Sequence, residues 1–382
     1  MKIKKVAFWD NLREWRFEPI YFSNLALLVG VSGVGKTKIL EGILSLQKIA
    51  NGVSLNGLAW DITFSTANND LDDVEYRWQG EFETKKNLPI ILNEEDETNE
   101  FRIVREYLLR EGNVIIERTP NEIIFKGNTT PKLSPFQSVV EILNQEDDIF
   151  PAHEAFNKIT SNSSSSMDYY DISMDYYDNY TATSNPPKSE SYLMAIKESD
   201  MTIQIKLALI FRDFSDLSNK IKGIFIQAFP QVEDLKIEAV REENSSFIRF
   251  PIQIKEKGVK NWIFQNNISS GMLKTLIHIS ELYLSPEGTV ILIDEFENSL
   301  GINCIDVVTD LIMENRNIQF ILTSHHPYII NNIGMEHWKI VTRKGGVVTV
   351  TDAKDLNLGK SRHQAFTQLI NLEEYSEGIK VE

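Results

Sequence analysis

Apolar and polar residues alternate from Lys2 to Phe8 and predict a strand; the unbroken apolar run Leu25–Val29 predicts a second, buried on both faces. A turn punctuated by Gly30, Gly33 and Gly35 follows, and then Ile39, Leu40, Ile43 and Leu44 recur at helical spacing, which predicts a helix over Thr37–Ile49. From about Ile62 to Lys126 the pattern changes to short segments: Val74–Phe82, Phe101–Leu109, Val114–Glu117 and Glu122–Lys126. They are separated by Asn, Gly, Pro and charge and read as antiparallel strands, with Asn93–Glu100 as an exposed acidic turn. Ser161–Tyr180 is dense in Ser, Asp and Tyr and contains Ser-Met-Asp-Tyr-Tyr-Asp twice, at Ser166–Asp171 and Ser173–Asp178. With few aliphatic residues to bury it reads as a flexible insertion, a tyrosine docking strip being the alternative.

Helical periodicity resumes over Tyr192–Phe229, and two strand-like runs follow, Leu235–Val240 and Phe247–Ile254. The last third alternates. Gly271–Leu284, Cys304–Met313 and Tyr328–Ile333 are helical; Thr289–Ile293, Ile318–Thr323, Trp338–Thr342 and Val347–Val350 are strands. Strands separated by helices imply an α/β fold with a mostly parallel sheet. The expected organisation is a core of 1–134 and 231–382, including an antiparallel β subdomain at 60–130. A helical lobe at 135–230 carries the flexible insertion at 161–190.

Composition narrows the class. The 382 residues, 42% hydrophobic and 25% charged, suit a globular protein with a substantial core. Asp and Glu number 55 against 39 Lys and Arg, a net charge of −16. That surface repels phosphate at long range, so nucleic acid is not bound by bulk charge, although a local basic groove stays open. The single cysteine, Cys304, excludes an internal disulfide framework and a cysteine zinc cluster and points to a reducing compartment, the cytoplasm. The apolar run behind the N-terminal lysines stops at Val6–Trp9, too short for a signal peptide, and no stretch approaches the roughly 20 apolar residues of a membrane span.

Gly30-x-x-x-x-Gly35-Lys36-Thr37 is a complete phosphate-loop sequence set between a buried strand and a helix, the context that gives the motif its meaning. The glycines let successive backbone N–H groups curl around a phosphate, and the helix N-terminus adds a positive dipole. Gly30, Ser32, Gly33, Val34, Gly35, Lys36, Thr37 and Lys38 form the expected nucleotide-binding set. Lys36 supplies charge at the β- and γ-phosphates, and Thr37 offers its hydroxyl to Mg²⁺. Val290–Ile293 runs into Asp294 and Glu295, which makes Asp294 the metal-side acid and Glu295 the candidate base for water. Ser269 and Gly271 head a helix about 25 residues before Asp294, where an ordinary N-cap is the alternative to an anion site. In Thr323-Ser324-His325-His326-Pro327, a histidine at a strand end could reach the γ-phosphate; the alternative is a turn histidine before a proline-started helix.

The ordered set of phosphate loop, Ser269-Ser270-Gly271-Met272, Asp294-Glu295, Asn298-Ser299-Leu300 and Ser324-His325-His326-Pro327 resembles the ABC-type ATPases of the SMC, RecF and OLD branch. Among these it is similar to stand-alone ATPases of bacterial anti-phage systems, such as PtuA of Septu and AriA of PARIS. The resemblance implies a P-loop NTPase fold of ABC-ATPase type and a homodimer or higher homo-oligomer that sandwiches ATP and Mg²⁺. It makes Ser269 and Gly271 the signature that reaches the partner's nucleotide, Asn298–Leu300 the D-loop, His325 the switch histidine and Gln137 a candidate metal-side glutamine. An ordinary exposed glutamine is the alternative at Gln137, whose spacing is loose. Ser270, Met272 and Gly301 depart from transporter patterns. Only about 55 residues follow His326, with no acidic metal cluster evident in them, which argues against a nuclease domain. The expected function is an ATPase switch controlling a separate effector, a nuclease or toxin, in anti-phage defence, with no membrane role of its own. The alternatives are a RecF-like repair ATPase that binds DNA between two subunits and a nucleotide-gated scaffold that barely hydrolyses ATP.

Overall fold

The computed structural model describes residues 1–67, 73–86, 100–161, 172–173, 189–199, 201–241, 247–298, 300, 302–356, 362–371 and 379–380. The insertion expected at 161–190 and the acidic turn at 93–100 lie almost wholly outside the described residues, as do Ser299 and Gly301. Two compact units are formed: the first from 1–163, 288–295 and 316–382, the second from 164–287 and 296–315.

Strands are numbered along the chain. The first unit contains β1 (Lys2–Asp10), β2 (Trp15–Tyr21), β3 (Leu25–Val29), β4 (Leu58–Ala67), β5 (Asp73–Phe82), β6 (Ile103–Arg110), β7 (Asn113–Arg118), β8 (Ile123–Phe125), β9 (Asn128–Thr129) and β10 (Ile159–Ser161). It also holds β17 (Val290–Ile293), β18 (Gln319–Thr323), β19 (Trp338–Lys344), β20 (Val347–Asp352) and β21 (Ile379–Lys380). They form one fifteen-stranded mixed sheet ordered β10-β17-β18-β3-β19-β20-β2-β1-β4-β5-β6-β7-β8-β9, with β21 on β19. The run from β10 through β19 is parallel, and β1 and β4 to β9 form the antiparallel part. This is the α/β, P-loop NTPase arrangement the sequence predicts. β18 stands between β3 and β17, so the strand before the phosphate loop and the strand ending in Asp294 are neighbours once removed.

The elements form where side-chain spacing allows burial. All five residues of β3 are buried. The helix Lys36–Ala50 turns Ile39, Leu40, Ile43, Leu46 and Ile49 inward, spacings that keep one face apolar. On the antiparallel side, alternate residues of β4 and β5 make an aromatic core. The Phe64 and Trp78 rings meet Phe156 edge-on at 5.1 and 5.0 Å, and Trp60 meets Trp78 at 4.9 Å, geometries that favour ring quadrupoles. Gly80 sits under Trp60, where a Cβ would come 2.2 Å from the indole. Phe156 lies on the short helix Phe150–Asn157, which together with Val139–Ile142 packs into this core. Residues 135–163 therefore belong with the first unit, not with the helical lobe placed at 135–230.

Among the described residues, the second unit combines the helices Glu190–Glu198, Ile203–Asp213, Ser215–Ala228, Ser270–Leu284 and Ile302–Glu314 with six short strands. These are β11 (Ile172–Ser173), β12 (Val232–Ile237), β13 (Val240–Arg241), β14 (Phe247–Arg249), β15 (Ile252–Glu256) and β16 (Ile263–Phe264). They make two three-stranded antiparallel sheets, β11-β14-β13 and β12-β15-β16. The single strand expected over Phe247–Ile254 is divided between the two sheets around Pro251, which has no N–H to give a ladder. Residues 231–287 thus join the second unit instead of the core. Among the described residues no helix is long and apolar enough to cross a membrane.

Candidate functional site

Parallel strands β17, β18 and β3 end at one edge of the first unit's sheet, and the chemistry-bearing residues follow those ends. After Val29 the chain passes so close to β19 that a Cβ on Gly30 would lie 2.6 Å from the Val341 carbonyl oxygen; only glycine fits. Gly33 and Gly35 take left-handed conformations, at φ +86° and +103°, and bend the loop into the helix that begins at Lys36. The Lys36 ammonium reaches back over the loop and donates to the carbonyls of Gly30, at 2.8 Å, and Val31, at 3.0 Å. Thr37, at the first turn of that helix, donates its hydroxyl to Asp294 at 2.9 Å. The two residues lie 257 positions apart, and the sheet alone joins them.

Asp294 is half-buried and Glu295 exposed. Glu295 has a left-handed backbone, φ +46°, rare outside glycine. Its N–H donates to the Thr323 hydroxyl at 2.8 Å, and the same hydroxyl donates to Asp294 Oδ1 at 2.6 Å. Beyond β18, the Ser324 N–H donates to the Leu28 carbonyl at 3.2 Å and the Ser324 hydroxyl accepts from the His326 N–H at 3.1 Å. His326 caps the helix Pro327–Asn332, its Nδ1 accepting from the Tyr328 N–H at 3.2 Å. His326 is thus the turn histidine of the two, and His325 is the exposed one at the sheet edge.

Two residues that the sequence did not single out flank the loop. The Arg343 guanidinium lies 4.1 Å from the centre of the Trp15 ring and donates to the Gly33 carbonyl at 3.3 Å. The Lys38 ammonium lies 5.4 Å from the same ring, and a Cβ on Gly35 would approach that ring to 3.3 Å. Trp15 and Arg343 come from strands far apart in sequence with no local motif. The signal available was only an aromatic near the start of a strand and a cation before the Gly345–Gly346 turn.

Lys36, Thr37, Asp294, Glu295 and His325 therefore share one sheet edge. Ser269 and Gly271 belong to the second unit. There Ser269 caps the helix Ser270–Leu284, its hydroxyl accepting from the Met272 N–H at 3.3 Å, and the Gly271 carbonyl accepts from Thr275. Gln137 does not join the site. Its side-chain amide lies against Gly52, past the far end of the fifteen-residue helix that starts at Lys36. That is about 22 Å of helix away from Thr37, so the metal-side assignment fails. The strand beside β17 is β10, which ends at Ser161 opposite Leu292.

The oxygen donors Thr37 and Asp294 fit a small hard cation that takes one or two protein ligands and completes its shell with phosphate and water. Among the described residues no cluster of three or more His, Cys, Asp or Glu could hold a metal by itself.

An AAA-domain family, whose description links it to the AbiEii toxin and a type IV TA system, matches residues 25–331, well over half of the chain. The match takes in the phosphate loop, Asp294–Glu295 and His325. The chain belongs to this AAA-domain family. Its mixed α/β fold is that of a P-loop NTPase. No curated protein sequence matches it. Among solved structures, the Smc head bound to the C-winged helix domain of ScpA is similar over 92% of this chain and 97% of its own, at 17% identity and a TM-score of 0.49. The Smc head with an extended coiled coil bound to the C-terminal domain of ScpA, derived from Pyrococcus furiosus, gives 92% and 96%, 14% identity and 0.48. The SMC head domain from Thermotoga maritima gives 92% and 99%, 14% and 0.43.

Proposed function

We propose that this AAA-family chain binds ATP and Mg²⁺ at the β3 edge, hydrolyses the ATP slowly, and dimerises around it to control a separate effector, a nuclease or toxin, in anti-phage defence. The observation that carries the reading is the Thr37–Asp294 hydrogen bond, next to a Lys36 ammonium folded onto the phosphate-loop carbonyls and with Glu295 following Asp294. These are the parts that phosphoryl transfer needs, placed by strands that meet only in the fold.

Loop N–H groups and Lys36 bind the β- and γ-phosphates and fix the γ-phosphorus in line for attack. Thr37 and Asp294 would hold Mg²⁺, whose charge offsets that developing on the transferred group. Glu295 orients the attacking water and accepts its proton, and His325 donates to a γ-phosphate oxygen. Trp15, with Arg343 and Lys38 on it, forms the side of the loop that receives base and ribose. Ser269 and Gly271 serve the nucleotide of a second copy. The family's toxin-system description supports an effector role, and the −16 charge suits a protein-holding platform better than a DNA sleeve. The motif resemblance to PtuA and AriA supports a defence setting.

Turnover and nucleotide binding of wild type, Glu295→Gln and Lys36→Ala test the chemistry. Glu295→Gln should bind ATP as wild type does and lose turnover, while Lys36→Ala should lose both. Mass measurement with ATP tests dimerisation; a Glu295→Gln protein that stays monomeric in saturating ATP refutes the sandwich. Salt-sensitive duplex binding that requires ATP would favour a DNA-repair role over an effector switch.

A further inference from the structure

Thr323 closes β18, the strand between the loop strand β3 and the acid strand β17, and is 1% exposed. A hydroxyl has a single proton to donate, and this one goes to Asp294 Oδ1 at 2.6 Å. The oxygen also accepts the Glu295 N–H at 2.8 Å. One buried side chain thus fixes the orientation of the metal-side carboxylate and anchors the next residue's backbone. That anchored residue, Glu295, is the one held at φ +46°, a conformation a non-glycine residue keeps only where its surroundings over-determine it. Thr37 holds the other carboxylate oxygen at 2.9 Å, so Asp294 is gripped from the loop side and the strand side at once.

We infer that Thr323 is a positioning residue that couples the metal-side acid to the water-orienting acid, setting cation affinity and turnover through a single hydroxyl. The inference rests on the proposed ATPase reading. It excludes a purely packing role, which the methyl and Cβ of threonine could fill without the hydroxyl.

Thr323→Val keeps the branched shape and removes the hydroxyl; Thr323→Ser keeps the hydroxyl and removes the methyl. Partners of this kind, one step behind a metal ligand, are worth about 10- to 100-fold in metal affinity or activity. Fluorescent-ATP binding is titrated with Mg²⁺ on the full chain, beside kcat and KM for ATP and the thermal midpoint. Thr323→Val should raise the Mg²⁺ concentration for half-maximal binding and lower kcat, each about tenfold or more, with ATP binding in EDTA unchanged. Thr323→Ser should return both to within about threefold of wild type. Wild-type Mg²⁺ dependence and kcat in Thr323→Val overturns the inference, and so does a Thr323→Ser protein as impaired as Thr323→Val. Should Thr323→Val fail to fold, Thr323→Ser decides: near-wild-type values support the hydroxyl role and a tenfold loss overturns it. Wild-type protein that binds no ATP sinks the ATPase reading and this inference with it, an outcome visible before any variant is made.

Discussion

Glu106 and Arg118 provide the sharpest test of how the antiparallel part of the sheet is held. Glu106 on β6 is fully buried and Arg118 on β7 is 3% exposed. The carboxylate accepts from Trp78 Nε1 at 2.9 Å, from the Ser138 hydroxyl at 2.6 Å, from the Val139 N–H at 3.0 Å and from Arg118 at 3.4 Å. Arg118 in turn donates to the carbonyls of Gln137 and Ser134, at 2.7 and 2.6 Å. Glu106→Gln keeps the volume but leaves the guanidinium buried without a counter-charge and turns an amide NH₂ toward donors. Breaking a buried pair from one side costs about 3–5 kcal/mol. A unit of this size loses roughly 2–4 °C of thermal midpoint per kcal/mol, so the expected drop is roughly 6–20 °C. Arg118→Met alone strands the carboxylate and should cost a similar amount. The double variant Glu106→Gln/Arg118→Met should be less destabilised than the two single costs added, because no buried charge remains. Chemical denaturation with a calorimetric midpoint measures all four proteins. A single variant within about 1 kcal/mol of wild type, or strict additivity in the cycle, would refute the claim that the pair acts as a unit.

Gly80→Ala should destabilise the first unit by about 1–3 kcal/mol, read as a lower denaturation midpoint, because the new methyl meets Trp60 with no room to move. Trp15→Ala should weaken ATP binding by about 5- to 150-fold, the range for loss of a base-stacking aromatic, while pyrophosphate binding stays as in wild type; equal losses for both ligands would remove Trp15 from the base side. The Lys126 hydrogen bond, followed by the Lys126 and Arg110 charges, holds the Asp148 carboxyl below its usual range. At Asp61, burial pushes upward but the Arg77 and Lys5 hydrogen bonds outweigh it and leave it lowered too. Both groups bind protons more weakly folded than unfolded. Their stabilisation is therefore complete above about pH 4 and lost as pH falls through the depressed values, and Asp61→Asn should flatten that acid limb of a thermal-midpoint profile.

Sequence reading succeeds where the chemistry is local. The phosphate loop needs glycines and a lysine at fixed spacing, and Asp294–Glu295 needs only an apolar strand before it, so both are written in consecutive residues. Thr323, Trp15 and Arg343 are different: each becomes meaningful through a neighbour that sheet order supplies, and no spacing along the chain encodes that β18 lies between β3 and β17. Gln137 shows the reverse error, a residue of the right type that lies past the wrong end of the helix Lys36–Ala50. The division into units departs from the expected one for a related reason. Val139, Val140 and Phe156 look like parts of a helical lobe, but all three are buried in the first unit's core, where Phe156 meets the rings of Phe64 on β4 and Trp78 on β5, side chains that alternation identifies as inward without saying what covers them.

The proposal that an acidic chain holds a polyphosphate invites an objection from net charge, and distance answers it. At physiological salt the field of an exposed charge is screened within about 8 Å, so a ligand at the β3 edge feels its immediate surroundings and not the total of −16. Those surroundings are Lys36 over the loop, Lys38 and Arg343 against Trp15, and the N-terminus of the helix Lys36–Ala50 with its outward N–H groups. Glu41 pairs with Lys38 at 3.5 Å, and Asp294 and Glu295 are the acids that a cation and a water would occupy. A long duplex has no such shelter, because its phosphates extend over many screening lengths and meet the acidic surface wherever the basic cluster ends. On the proposed reading, the charge distribution that would admit a nucleotide disfavours a broad nucleic-acid face, which is why the proposal takes a protein as the large partner.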